Sequence, residues 1–151
     1  MNRKLNNFIL ITLGKKNVNA NDFGLLIFRL AVGILMLTHG LQKIANYETL
    51  KLAFPDPIGL GSSFSLTLII LAEFGCSILI ILGLFTRLAT IPLMFGMIVA
   101  GFVVHGGDPF AVKELSVLYL LMYVVLILTG AGKYSVDHYL QRWWMKKSKF
   151  A

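Results

Sequence analysis

The sequence predicts an all-α integral membrane protein, a four-helix bundle flanked by N- and C-terminal interfacial segments. Three observations carry that expectation. The 151-residue chain is 57% apolar and only 14% charged, with a mean hydropathy of +0.77, too little polar cover for a water-facing exterior of this size. It contains four apolar stretches, each near the ~20 residues that a helix needs to cross the hydrocarbon core. Its basic residues cluster at one side of those stretches.

The first span is expected over 23–45, with Asp22 available as an N-cap. A loop rich in Pro55, Pro57, Gly59 and Gly61 separates it from the second, 64–85. The third is expected over 88–105, with Pro92 in its first turn, where proline is tolerated. The fourth runs over 109–130, because Asp108 and Pro109 form an N-cap and first-residue pair. The length suits one domain, 1–151, and no internal repeat or linker divides it.

The formal charge of +7 does not indicate a nucleic-acid partner. The cations sit beside hydrophobic runs, as juxtamembrane residues facing anionic lipid do. Ten of the fourteen fall in 1–22, 86–87 and 131–151, from Arg3 to Lys16, at Arg87, and from Lys133 to Lys149. The opposite loops and their helix ends hold Lys43, Lys51 and Lys113, offset by Glu48, Asp56, Asp108 and Glu114. The positive-inside rule then places both termini and the turn between the second and third spans on the cytoplasmic side of the membrane. The apolar stretch Phe8–Leu13 is short and no small-residue cleavage site follows it, so it is not read as a cleaved signal. Leu5, Phe8, Ile9, Thr12 and Leu13 fall on helical spacing, as do Val136, Leu140, Trp143 and Trp144, and both segments suit in-plane helices at the headgroups.

Ionisable groups inside spans cost at least ~2.5 kcal/mol on insertion scales and therefore face protein or water. This chain has Arg29, His39, Lys43, Glu73, His105 and Glu114. Residues 29, 33, 36, 40 and 43 share one stripe of the first span, where Gly33 and Gly40 permit close approach of another helix. Gly96 and Ala100 make a similar small pair on the third. Helical rise puts Glu73 near mid-bilayer and Arg29 in the inner third, and the two read either as an ion pair stitching the first two spans or as part of a relay. His39, His105 and Glu114 reach a level slightly outside Glu73. Each alone reads as a packing or loop-edge residue, but together the four predict an outward-opening polar pocket that carries protons or holds a small ligand. No HxxxH or ExxH pair lies on one helix, and no metal site is expected. Cys76 is alone, so neither an intramolecular disulfide nor dithiol chemistry is available, and it reads as a small core residue.

Three segments in order, RLAVGILMLTHGLQKI (29–44), AEFGCSILIILGLFTRLAT (72–90) and GAGKYSVDHYL (130–140), resemble the DoxX family of small bacterial membrane proteins. The resemblance covers about residues 23–140. It implies a four-helix fold in a bacterial inner membrane and an association with quinone-coupled oxidation or with oxidoreductase complexes that handle oxidative or thiol stress. It marks Arg29, His39, Lys43, Glu73, Arg87 and Asp137 as the family-type polar positions. Vitamin K epoxide reductase-like chemistry requires paired cysteines and is excluded by the single Cys76.

The leading expectation is therefore a membrane subunit of an oxidoreductase system. Arg29, His39, Lys43, Glu73, His105 and Glu114 form its ligand-binding set for a quinone or another small redox ligand, with His39 and Glu73 as the catalytic candidates that relay protons. No haem, flavin or nucleotide motif is visible, so electrons are expected from a soluble or membrane-bound oxidoreductase partner. Besides the bilayer and that partner, a second copy of the chain is the remaining association to consider. The alternative class is a non-enzymatic membrane anchor, scaffold, or small binding or transport module.

Overall fold

A computed structural model describes the backbone of residues 18–148 and the side chains of 20–146. Among the described residues there are helices and no strands. The elements are α1 (Val18–Ala45), a short α2 (Tyr47–Leu50), α3 (Ser62–Ile70), α4 (Ser77–Leu82), α5 (Thr86–Ile98), α6 (Phe110–Thr129) and α7 (Val136–Ser148). A π-helical segment, Leu71–Cys76, joins α3 to α4, and a second, Val99–Val104, continues α5.

Four of these runs are long and apolar enough to cross a membrane: Ala20–Ala45, Ser62–Leu82, Thr86–Val104 and Phe110–Thr129. They match the four expected spans to within a turn. Span 1 packs along span 2, span 3 along span 4, and span 2 against span 3, whereas span 1 touches span 4 only lightly. The core is Val32, Met36, Ile80, Leu93, Tyr123 and Leu126 with their neighbours. Large side chains such as Leu71, Leu88, Leu121 and Leu128 point outward, as lipid-facing residues must when the solvent is hydrocarbon.

The expected stripe on span 1 is its packed face. Arg29, Gly33, Met36 and Gly40 are buried and Lys43 is half-buried. A Cβ on Gly40 would lie 2.8 Å from the Phe74 nitrogen and 3.0 Å from the Glu73 carbonyl carbon. The absent side chain thus sets the distance between spans 1 and 2 at the level of Glu73.

Three local expectations are corrected. Helix α1 is already helical at Val18, so Asp22 lies inside it and is not its N-cap. Pro92 lies within α5 nearly two turns from its start, because that helix begins at Thr86. Pro109 is itself the N-cap of α6, with an extended ψ of 150°, and Asp108 turns back to His105 Nδ1 at 2.8 Å.

The terminal helix α7 exists as a separate 13-residue element. All its side chains from Tyr139 to Lys146 are exposed in the isolated chain, Trp143 and Trp144 included, which suits a helix that rests on headgroups. The N-terminal apolar segment, Leu5 to Leu13, lies outside the described residues.

Candidate functional site

The polar residues separate into two groups at opposite ends of the bundle. Helical side chains lean toward their helix's N-terminus. Arg29, near the start of span 1, therefore reaches toward the end of the bundle that carries α7, while Lys43, near the end of span 1, reaches back into the membrane.

Arg29 is 2% exposed. Its Nη1 donates to the Ala131 carbonyl and its Nη2 to the Tyr134 carbonyl, both at 2.8 Å. Gly83, at φ +68°, makes room for the guanidinium, since a Cβ there would collide with Arg29 and Ser135. Asp137, from α7, accepts the backbone N–H of Phe85 at 2.7 Å and of Thr86 at 3.0 Å. It caps span 3 from 51 residues away and holds Phe85 in the left-handed region at φ 49°. The three segments that carry the family resemblance thus meet in one knot of hydrogen bonds between side chains and backbone.

Glu73 is not paired with Arg29. Its Oε2 accepts Lys43 Nζ at 2.6 Å, with the side chains 4% and 24% exposed respectively. Arg29 lies a further fourteen residues down span 1, about 21 Å along the helix axis. Lys43, assigned by sequence to the loop edge as much as to the site, is the counterion within the membrane.

Beside this pair, between spans 2 and 3, is a cavity of about 490 Å³. Lys43, Glu73 and His105 supply its ionisable groups, and most of the remaining wall is apolar. Leu68 and Phe95, in that wall, are 41% and 56% exposed on the lipid-facing side. The segment Phe54–Ile58 contributes to the end nearest the long loop. It is anchored by Asp56, whose carboxylate accepts Gly61 N at 2.7 Å, Ser65 Oγ at 2.8 Å and Leu60 N at 2.9 Å. Those donors, Ser65 first, hold the Asp56 carboxyl below its usual range.

Of the four residues expected to form the pocket jointly, the cavity brings together Glu73 and His105 and leaves out His39 and Glu114. His39 lies roughly a quarter turn round span 1 from the packed stripe. Its ring meets Tyr119 of span 4 edge-on, at a centroid distance of 5.8 Å. Glu114 comes five residues before Tyr119, which puts it on the far, exposed side of span 4. His105 ends the second π-helical segment, with its ring bonded to Asp108. Cys76 is half-buried against the core, as expected of a small packing residue. Among the described residues no three His, Cys, Asp or Glu side chains are arranged to hold a metal ion.

Two features of the site were not read from the sequence. Both π-helical segments border the cavity, carrying Ala72 and Glu73 on one side and Val99, Ala100 and Val104 on the other. Such segments recur at functional sites because the extra residue per turn re-aims side chains, but they have no sequence signature beyond the glycines at 75 and 101. Behind Glu73, Tyr119 and Tyr123 stack at 6.1 Å. Both are buried, and among the described residues the Tyr123 hydroxyl has no partner. Their i, i+4 spacing on one face of span 4 was the available signal.

The fold and site define a polytopic all-α membrane protein with a lipid-side cavity built around an intramembrane ion pair. The model of the DoxX family matches residues 24–106, and the chain belongs to that family. It is similar to the inner membrane protein YqjF of Escherichia coli, 30% identical over 127 residues that cover 82% of this chain and 96% of the relative. It is also similar to the uncharacterized membrane protein Rv3486 of Mycobacterium tuberculosis, 30% identical over 129 residues that cover 76% and 79% of the two chains. No solved structure matches it.

Proposed function

We propose that the chain is a membrane subunit of an oxidoreductase system, and that the cavity between spans 2 and 3 binds a quinone or a chemically similar lipophilic redox ligand. The observation that carries this reading is the composition of the wall: an apolar slot reached past Leu68 and Phe95, with Lys43, Glu73 and His105 as its ionisable groups. A ligand with an apolar tail and two carbonyl oxygens suits that division, because the few polar groups fix the head while the apolar wall takes the rest.

Reducing a quinone to a quinol takes two electrons and two protons. In this reading the Lys43 ammonium and the His105 imidazole donate hydrogen bonds to the ligand oxygens, and Glu73 passes protons at the buried end. Electrons come from a soluble donor or from a partner oxidoreductase. His39, displaced to Tyr119, serves the relay only through that phenol and is not a ligand contact. Arg29 and Glu114 drop out of the ligand set.

The YqjF relative carries the words inner membrane in its name, and the cation distribution favours termini in the cytoplasm. A reporter fused after Ala151 should then be active only in that compartment, and activity on the other side would reverse the orientation.

The function is tested by extracting the protein, purified in mild detergent, with organic solvent and identifying the extract by mass spectrometry, alongside quinone reduction in membranes with and without the gene. Co-purified quinone in the native chain and its loss in Glu73→Gln is the expected result. Recovery of phospholipid alone, with quinone reduction unchanged by the gene, would favour the binding or transport module instead.

A further inference from the structure

At the opposite end of the bundle from the cavity, the start of span 3 and the end of span 4 enclose a groove of about 560 Å³ with α7 on its third side. We propose that this groove is a site for the phosphate of an anionic phospholipid, with Arg87 as its principal ligand.

Arg87 is exposed, yet it is held in place. Its Nη2 donates to the Leu128 carbonyl at 3.3 Å. Its plane lies against Gly130, where a Cβ would come 3.3 Å from Nε and 3.6 Å from Nη2. A guanidinium has five N–H donors in a fixed fork that matches a phosphate, and this one spends a single bond on protein among the described residues. The rest are available to an acceptor in the groove. His138 and Gln141 of α7 add polar side chains to the same wall, whereas the Thr129 hydroxyl there donates to the Val125 carbonyl.

Among the described residues one carboxylate, that of Asp137, lines the groove, and its charge is partly offset. Asp137 has both oxygens engaged by the Phe85 and Thr86 N–H groups and lies within electrostatic reach of Arg29.

The position of the groove favours a lipid over a free anion. Thr86 and Thr129 are the end residues of two spans, which places the groove at headgroup level. Leu88, Leu128 and Phe85 are 65%, 72% and 59% exposed around it and offer acyl chains an apolar surface directly beneath the cation. Trp143 and Trp144 of α7, with Arg142 and Lys146, continue the same interfacial pattern. Other cations on this face attract anionic headgroups diffusely. Arg87 differs in being fixed within a concave site.

The test is lipid retention by the full chain reconstituted in bilayers of equimolar phosphatidylglycerol and phosphatidylcholine, read by native mass spectrometry after release. The native chain should retain phosphatidylglycerol preferentially. Arg87→Gln should lower that preference about fivefold, the ratio corresponding to the ~1 kcal/mol of one cation at the surface. Arg142→Gln removes the same charge outside the groove and should change it much less. Equal losses in the two variants, or none in Arg87→Gln, would overturn the site and leave only diffuse attraction. Displacement of the retained lipid by inorganic phosphate would overturn the lipid assignment. Should Arg87→Gln fail to fold, Gln141→Leu at the rim takes its place, and an unchanged preference there would count against the groove.

Discussion

Lys43 and Glu73 join spans 1 and 2 inside the membrane, with the ammonium 2.6 Å from the carboxylate and the carboxylate all but enclosed. Gly40, one turn before Lys43, allows the two helices to come close enough for that contact. In a low-dielectric setting the two charges depend on each other, because removing one leaves the other without a counterion.

Glu73→Gln and Lys43→Met should therefore each destabilise the protein. Loss of one partner of a buried pair costs roughly 3–5 kcal/mol, with the lower end expected here because Lys43 is partly exposed. The double variant Lys43→Met with Glu73→Leu should recover much of the loss, whereas Arg29→Met with Glu73→Leu should not. Thermal unfolding in detergent distinguishes the two doubles, and recovery by the Arg29 double would refute the assignment of Lys43 as the counterion.

The glycine stripe makes a separate claim. Gly40→Ala places a methyl against backbone atoms of Phe74 and Glu73 that cannot rotate away, and overpacking of that kind costs about 1–3 kcal/mol. Gly24→Ala, on the same helix with nothing among the described residues within 4 Å of the added atom, should be neutral or slightly stabilising. Equal melting temperatures for the two variants would show that spans 1 and 2 are not held at this distance by Gly40.

Asp56 gives the loop beside the cavity a pH dependence. Its carboxyl is held below its ordinary value by the Ser65 hydroxyl and the Gly61 and Leu60 N–H groups. The native state thus binds this proton less readily than the unfolded chain. The stabilisation is present above the unfolded value near ~3.9 and is lost as pH falls through the lower, folded one. The difference in stability between the native chain and Asp56→Ala should be constant from neutral pH down to about pH 5 and shrink below about pH 4. A difference that instead grows on acidification would contradict the hydrogen-bonded carboxylate.

The spans, the packed stripe of span 1 and the mid-membrane depth of Glu73 were legible in the sequence, because hydropathy and helical rise report position along an axis. Rotation about the axis is less accessible. His39 and Glu114 lie at a plausible depth but face Tyr119 and the far side of span 4 respectively, and depth alone cannot separate those directions from the cavity. Arg29 was matched to Glu73 by charge and approximate level. The lean of side chains toward a helix N-terminus sends it instead to Ala131 and Tyr134, while Lys43 reaches inward. The two π-helical segments that border the cavity were not legible at all, since they arise from how the spans pack rather than from local preference. Asp137 was marked only through the family resemblance. Its partners, the N–H groups of Phe85 and Thr86, are remote in sequence, and no local pattern announces a cap supplied from another helix.

The claim that the cavity between spans 2 and 3 takes a quinone-like ligand is tested most directly by photolabelling. A photoreactive short-chain quinone would be added to the native chain in proteoliposomes, and the modified peptides mapped by mass spectrometry. Adducts should concentrate in 65–73 and 92–105, which line the cavity, and should be competed by unlabelled quinone and depleted in Glu73→Gln. Labelling spread evenly over the lipid-facing sides of all four spans, without competition, would contradict a quinone site in this cavity.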